Sequence, residues 1–299
     1  MRTGVPIPEP TWKDLEKADS ILFGAVGDPR VDDAGYLSGV LLRLRFELDL
    51  YVNLRPAKLY DDRLSPLRKE ERRGIDLLIV RENTEGLYVG IGGRFKKGTH
   101  DEVAIQEDVN TYVGVTRIVE HAFKVARREV VMVDKANAMT HAGALWQQQW
   151  KAVAKRHADK RTRHLYVDAA AMQLVRDPTQ FDVIVTGNLF GDILSDLTAE
   201  LVGGMGIAPS GNINPETKRG LFEPVHGSAP PLAGKSVANP IGAILTAGMM
   251  LEYLGHEAAG QAVEQAVRDS INSGETTGDL GGPLSTDEAG AAIRKRLAG

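Results

Sequence analysis

Apolar residues along this chain fall into two rhythms. Short unbroken runs at 20–26, 76–81, 130–133 and 181–185 read as strands covered on both faces, because a strand with one wet face would alternate. Longer stretches at 10–18, 40–49, 111–127, 142–157, 190–202, 241–254 and 258–273 read as helices. Their alternation predicts an α/β architecture. The glycine-rich segment 90–98, followed by Val103-Ala104-Ile105, reads as a hairpin or arm. The segment 202–211 and the loop 212–220 read as a boundary between lobes. No internal repeat or low-complexity tract interrupts the pattern.

Composition narrows the picture. A chain of 299 residues suits one large α/β domain or two intimate lobes, with a core that needs no staple. Cysteine is absent, which excludes thiol nucleophiles, zinc-thiolate sites and disulfides and fits a reducing cytosol. A net charge of -4 does not point to nucleic acid or to an anionic membrane. The longest apolar runs, such as 241–251, contain glycine and are too short to span a bilayer. Residues 1–6 lack the apolar core of a signal peptide. A soluble cytoplasmic protein is expected, with neither nucleic acid nor membrane as partner.

The strongest local chemistry lies in Gly187-Asn188-Leu189-Phe190-Gly191-Asp192-Ile193-Leu194-Ser195-Asp196. On a helix Asp192 and Asp196 share a face and repel by roughly a few tenths of a kcal/mol. A divalent cation would offset that repulsion, and oxygen-only ligands suit Mg²⁺ or Mn²⁺. Spacing alone fits even better a helix-start Asp followed by a solvent-facing one. Asp168, after the strand-like His164-Leu165-Tyr166-Val167, could cap the next helix or bind a metal at a strand's carboxyl end. Lys135 follows the apolar run Val130–Val133. An unpaired ammonium at that mouth is costly, and a nearby metal would lower its pKa and make it a usable base. A solvated strand end is the plainer alternative. Arg45, Arg55 and Arg81 suit bidentate clamping of carboxylates, although each alone would usually be a surface ion pair. Tyr88 is a potential proton donor or half-buried packing.

The loop Glu223-Pro224-Val225-His226-Gly227-Ser228-Ala229-Pro230-Pro231-Leu232-Ala233-Gly234-Lys235, followed by Ala238-Asn239-Pro240, offers backbone N–H groups to phosphates. Gly234-Lys235-Ser236 hints at a P-loop, but Ala229 stands where its first glycine is required. An NTPase is excluded. With no G-x-G-x-x-G, a Rossmann site is not supported.

Asn53-Leu54-Arg55-Pro56, Val80-Arg81-Glu82-Asn83-Thr84-Glu85-Gly86, Asp134-Lys135-Ala136-Asn137, residues 188–196 and residues 223–230 occur in one order. Together they make the chain resemble the β-decarboxylating dehydrogenases, the isocitrate/isopropylmalate dehydrogenase family, from about Pro8 to the C-terminus. The resemblance implies a two-lobed, non-Rossmann α/β fold of the isopropylmalate-dehydrogenase type, with a β arm at a dimer interface. Residues 1–50 plus 203–299 would form the cofactor lobe, and 51–202 the substrate, metal and dimerisation lobe.

By that resemblance the enzyme uses NAD and Mg²⁺ or Mn²⁺ to oxidise and decarboxylate a 2-hydroxy diacid. Arg45, Arg55 and Arg81 match the arginines that hold substrate carboxylates, with Leu41, Leu42 and Asp168 also at the substrate. Tyr88 matches the proton donor to the enol and Lys135 the base for the hydroxyl. Asp168, Asp192 and Asp196 match the metal ligands. His226, Gly227, Ser228, Ala229 and Asn239 match the cofactor loop. A homodimer with shared sites is implied, each site borrowing the lysine and one Asp from its partner.

Two leucines at 41 and 42 would leave a third carboxylate unpaired, at a cost of about several kcal/mol. An isopropyl branch instead gains roughly 0.8 kcal/mol per buried carbon. The favoured substrate is therefore 3-isopropylmalate, as in leucine biosynthesis, ahead of tartrate, D-malate, homoisocitrate or isocitrate.

Three features depart from the family pattern. Its opening strand and Gly-Asp-Gly-Ile-Gly-Pro turn do not occur, roughly fifty residues by domain size, which raises a catalytically silent dimerising fragment as the reading from another class. Pro231 replaces an Asp expected at the adenosine ribose. Ala138 replaces a larger Val and would widen the pocket.

Overall fold

The computed structural model describes residues 5–28, 30–31, 38–69 and 74–298. Eight strands form one twisted sheet. They are β1 (Ile21–Leu22), β2 (Val52–Lys58), β3 (Asp76–Glu82), β6 (Glu129–Asp134), β7 (Arg161–Tyr166), β8 (Val183–Thr186), β9 (Pro209–Asn214) and β10 (Arg219–Pro224). Two more, β4 (Gly92–Phe95) and β5 (Val103–Gln106), make a separate exposed antiparallel hairpin. The order across the large sheet is β1-β10-β9-β2-β3-β8-β6-β7.

The sheet has two characters. From β3 through β8 and β6 to β7 the strands run parallel. β3, β8 and β6 are the unbroken apolar runs, covered on both faces, whereas β7 is a polar, half-exposed edge strand. On β6, Val131 and Val133 join the core beneath helices α6 (Asn188–Val202), α7 (Ile241–Tyr253) and α8 (Glu257–Asn272). Val130 and Met132 join the opposite core, against α3 (Tyr112–Val125) and α4 (Thr140–Ala154). From β2 through β9 to β10 the pairing is antiparallel.

Here the structure corrects the sequence reading. The expected loop at 212–220 is largely strand, since residues 209–214 and 219–224 pair directly. Polar side chains hid it. Ser210, Asn212 and Asn214 are buried; the Ser210 hydroxyl and the Asn212 amide are satisfied within the sheet, and the Asn214 amide by Asp49 in the turn before β2. The run 20–26 pairs with β10 only at Ile21 and Leu22. Beyond Gly24 it leaves the sheet, and Ala25 and Val26 line a cleft. The helix expected at 40–49 begins as a wide π turn over 38–42 before α2 (Arg43–Glu47). Among the described residues three further helices are α1 (Glu9–Lys17), α5 (Val167–Arg176) and α9 (Thr286–Leu297). The polar α9 went unread, although Ser285 and Glu288 form a capping box at its start. Among the described residues no helix is long and apolar enough to cross a membrane.

Candidate active site

The antiparallel half of the sheet carries a buried polar chain. Arg45, on α2, donates to the Glu223 carboxylate on β10 at 2.9 Å. The same carboxylate accepts from Asn212 on β9 at 3.0 Å. Asn212 in turn accepts from Asn53 on β2 and from Asn83, each at 3.0 Å. Asn53 accepts from Arg55 at 2.8 Å. Two guanidiniums are thereby fixed from one hydrogen-bonded network across four elements. Unpaired, such groups would be prohibitively costly to bury.

Arg81, at the end of β3, is 2% exposed. It donates to Asn188 Oδ1 at 3.0 and 2.7 Å and to Asp192 Oδ1 at 2.5 Å. Its stem passes over Gly191, where a Cβ would stand 2.5 Å from the Arg81 Cγ. That glycine is required by close approach. Burial, with the neighbouring positive Arg55, lowers the Arg81 pKa to about 9. Arg55 is lowered in the same way, by burial and then by Arg45. Three crowded cations thus face one cleft of about 460 Å³, lined also by Leu41, Leu42, Tyr88, Asp192, Glu223 and His226. Such a site attracts a multiply charged anion.

Tyr88 leans over Arg81, 5.6 Å from guanidinium to ring centre, and donates to Asp192 Oδ2 at 3.1 Å. Burial first, and then the Asp192 charge, raise its pKa and keep the phenol protonated. Asp192 and Asp196 lie one turn apart on α6. Burial and then repulsion from Asp192 raise the Asp196 pKa.

The remaining pair stands elsewhere. Lys135, just past β6, donates to Asp168 in the first turn of α5 at 2.5 Å. That bond, first among its causes, lowers the pKa of the exposed Asp168. Among the described residues no three His, Asp or Glu side chains converge as a metal site. The three expected acidic ligands are therefore divided within one chain, with two on α6 and one beside Lys135. Oxygen donors crowded on α6 have the chemistry for a hard divalent cation.

His226, Gly227, Ser228, Ala229 and Asn239 line a second cavity of about 610 Å³. His226 and Gly227 line both cavities, so the two adjoin. Among the described residues lining the larger one are the carboxylates Asp279 and Asp287, and no Lys or Arg. Sequence reasoning did not single out Asn188, Asn212, Ser195 or Glu223 as site residues. Asn188 and Glu223 sit inside the quoted motifs and were readable there; Asn212, in a supposed loop, was not.

A doubly covered sheet with an arginine cleft beside a glycine-proline loop defines an enzyme of the isocitrate/isopropylmalate dehydrogenase family, and the chain belongs to that family, whose description it matches over residues 1–293. It is 46% identical over 301 residues to a 3-isopropylmalate dehydrogenase of Thermobifida fusca strain YX, spanning 99% of this chain and 84% of that one. A 3-isopropylmalate dehydrogenase of Corynebacterium urealyticum is 45% identical over 298 residues, 98% of this chain and 86% of its own. The crystal structure of isocitrate dehydrogenase from Methylococcus capsulatus superposes with a TM-score of 0.91 at 37% identity, over 99% of this chain and 86% of that one.

Proposed function

We propose that the protein catalyses NAD-dependent oxidative decarboxylation of 3-isopropylmalate, as a homodimer with shared sites and with Mg²⁺ or Mn²⁺. The observation that carries this reading is the company Leu41 and Leu42 keep. They line the same cleft as Arg45, Arg55, Arg81 and Tyr88. The arginines bind the two carboxylates and turn the substrate. The leucines accept a branched alkyl group and offer nothing to a third carboxylate.

Asp192 and Asp196 of one protomer hold the cation together with Asp168 of the other, and Lys135 arrives with that Asp168. Bound there, the metal supplies Lewis-acid stabilisation of negative charge on oxygen, and NAD supplies the hydride acceptor. Lys135 removes the hydroxyl proton. Tyr88, held protonated against Asp192, returns a proton to the carbon that has lost CO₂. The exposed Ile91, Phe95, Val103 and Ile105 of the β4–β5 hairpin suit burial against a second copy.

The test is NADH absorbance with a panel of 2-hydroxy diacids and Mn²⁺. The highest kcat/KM is expected for 3-isopropylmalate. A higher value for isocitrate, homoisocitrate, tartrate or D-malate would overturn the assignment.

A further inference from the structure

The loop 227–238 is exposed throughout, yet it holds a demanding backbone. Ala229 (φ 42) and Ser236 (φ 53) both adopt left-handed conformations that side-chain-bearing residues avoid, with Gly234 (φ 73) between them. The loop's own hydrogen bonds span only its first part: Leu232 N–H to Ala229 O, Ala233 N–H to Pro230 O, and Lys235 N–H to Leu232 O. None of these engages the carbonyls of Ser236 or Ala238. Both of those go to one residue from the far end of the chain. Thr286 donates its N–H to Ser236 O at 2.9 Å and its hydroxyl to Ala238 O at 2.6 Å.

Thr286 is itself well held. It is the first residue of α9, directly after the N-cap Ser285 and inside the capping box that Ser285 forms with Glu288. Further along, α9 seats Ala289 and Ile293 in the interior. The arrangement ties an exposed, strained loop, through one side chain and one amide, to a helix anchored in the core by Ala289 and Ile293.

We infer that Thr286 is a positioning residue for cofactor binding, acting through the loop rather than on the chemistry. A strained turn persists only where its surroundings over-determine it. With both carbonyls taken by Thr286, residues 236–238 keep their bound-ready shape before the cofactor arrives, which lowers the ordering cost of binding. The inference rests on the assignment of this cavity to NAD.

The experiment measures NAD affinity by fluorescence titration, and KM and kcat with NAD as the varied substrate. Thr286→Val keeps the N–H bond and removes the hydroxyl bond. The Kd and KM for NAD are expected to rise about threefold to tenfold, as for one lost hydrogen bond, with a smaller change in kcat. Thr286→Ser should restore both. Adding Ser236→Gly to Thr286→Val should recover much of the affinity, because glycine adopts the left-handed turn without help. A merely structural role would lower the melting temperature and leave Kd unmoved in the cold, and Ser236→Gly would then rescue nothing. Wild-type affinity in Thr286→Val, or no rescue by Ser236→Gly, overturns the inference. If the unsubstituted protein itself fails to bind NAD, the cofactor assignment falls instead.

Discussion

On the proposed reading the cleft and the Lys135–Asp168 pair are two halves of one chemistry, and they are built in opposite ways. In the cleft, Arg45, Arg55 and Arg81 are buried and locked by Glu223, Asn53, Ser195, Asn188 and Asp192 before any substrate arrives. Lys135 and Asp168 are more open to solvent and pair with each other, the Asp168 carboxylate also accepting from backbone N–H groups at the start of its own helix. Exposed ion pairs of this kind contribute little to stability. Binding groups that must be aimed are fixed by a network within one chain, whereas the pair proposed to meet a second protomer is left accessible.

The largest expected effect tests that division. Lys135→Ala should lower kcat by about a hundredfold to ten-thousandfold, the usual range for a lost proton-transfer group, and Asp192→Asn, which removes a charged ligand from the proposed cation site, should likewise lower kcat strongly. If Lys135 serves the partner's cleft, mixed dimers of the two variants contain one intact site. Unfolding and refolding an equal mixture should then restore about a quarter of wild-type activity, because random pairing makes half the dimers mixed. Activity no higher than either parent would place both groups in the same chain's site.

The next effect probes the cleft's specificity. Leu42→Ser puts a hydroxyl where a branched alkyl group is expected. It should cost roughly tenfold to two-hundredfold in kcat/KM for 3-isopropylmalate, the range for a perturbed apolar pocket. Little change in that value would mean that the substrate branch lies elsewhere.

A smaller effect tests the network beneath the arginines. Asn212→Ala takes a hydrogen-bond partner from Asn53, Asn83 and Glu223 at once. Denaturant unfolding should show a loss of about 1–3 kcal/mol, with a raised KM for the diacid as Arg45 and Arg55 loosen. Lys135→Ala, by contrast, should leave the unfolding midpoint nearly unchanged. Equal destabilisation by both would erase the contrast between the two regions.

The same contrast explains what could be read from the chain. The parallel strands β3, β6 and β8 were legible because burial on both faces leaves an apolar signature, as at Val130–Val133. Arg55, Arg81, Lys135 and Asp192 stood out because they lie in recognisable strings, Arg55 within β2, Arg81 near the end of β3, Lys135 just past β6 and Asp192 early in α6. The antiparallel strands were not, because Ser210, Asn212 and Asn214 are buried through pairing rather than through apolarity, and a one-dimensional pattern counts them as loop. Thr286 was invisible for a related reason. Its partners, Ser236 and Ala238, lie 50 and 48 positions away, and backbone carbonyls carry no residue-type signal.

Glu82 joins the two regions and gives the finest test. It follows Arg81 on β3 and lines a small cavity with Lys135. Burial raises its pKa to about 7, against the N–H groups of Thr84 and Glu85, which hydrogen-bond its carboxylate and pull the other way. An acid raised on folding binds its proton more tightly in the native state. Its contribution to stability is complete below the ordinary carboxylate pKa of 4.5 and is lost as pH climbs through about 7. His121 has the opposite sign. Burial lowers it from 6.5 to about 4, so its contribution is complete above 6.5 and is lost as pH falls through about 4. Over the shared window the two slopes oppose. Glu82→Gln removes one of them, and its stability relative to wild type should improve steadily as pH rises from about 5 to about 7. Chemical denaturation at a series of pH values reads this difference directly, and contributions from other groups cancel in it. A difference that stays constant with pH would mean that Glu82 titrates alike in the folded and unfolded chain, and that this edge of the cleft is wetter than its burial implies.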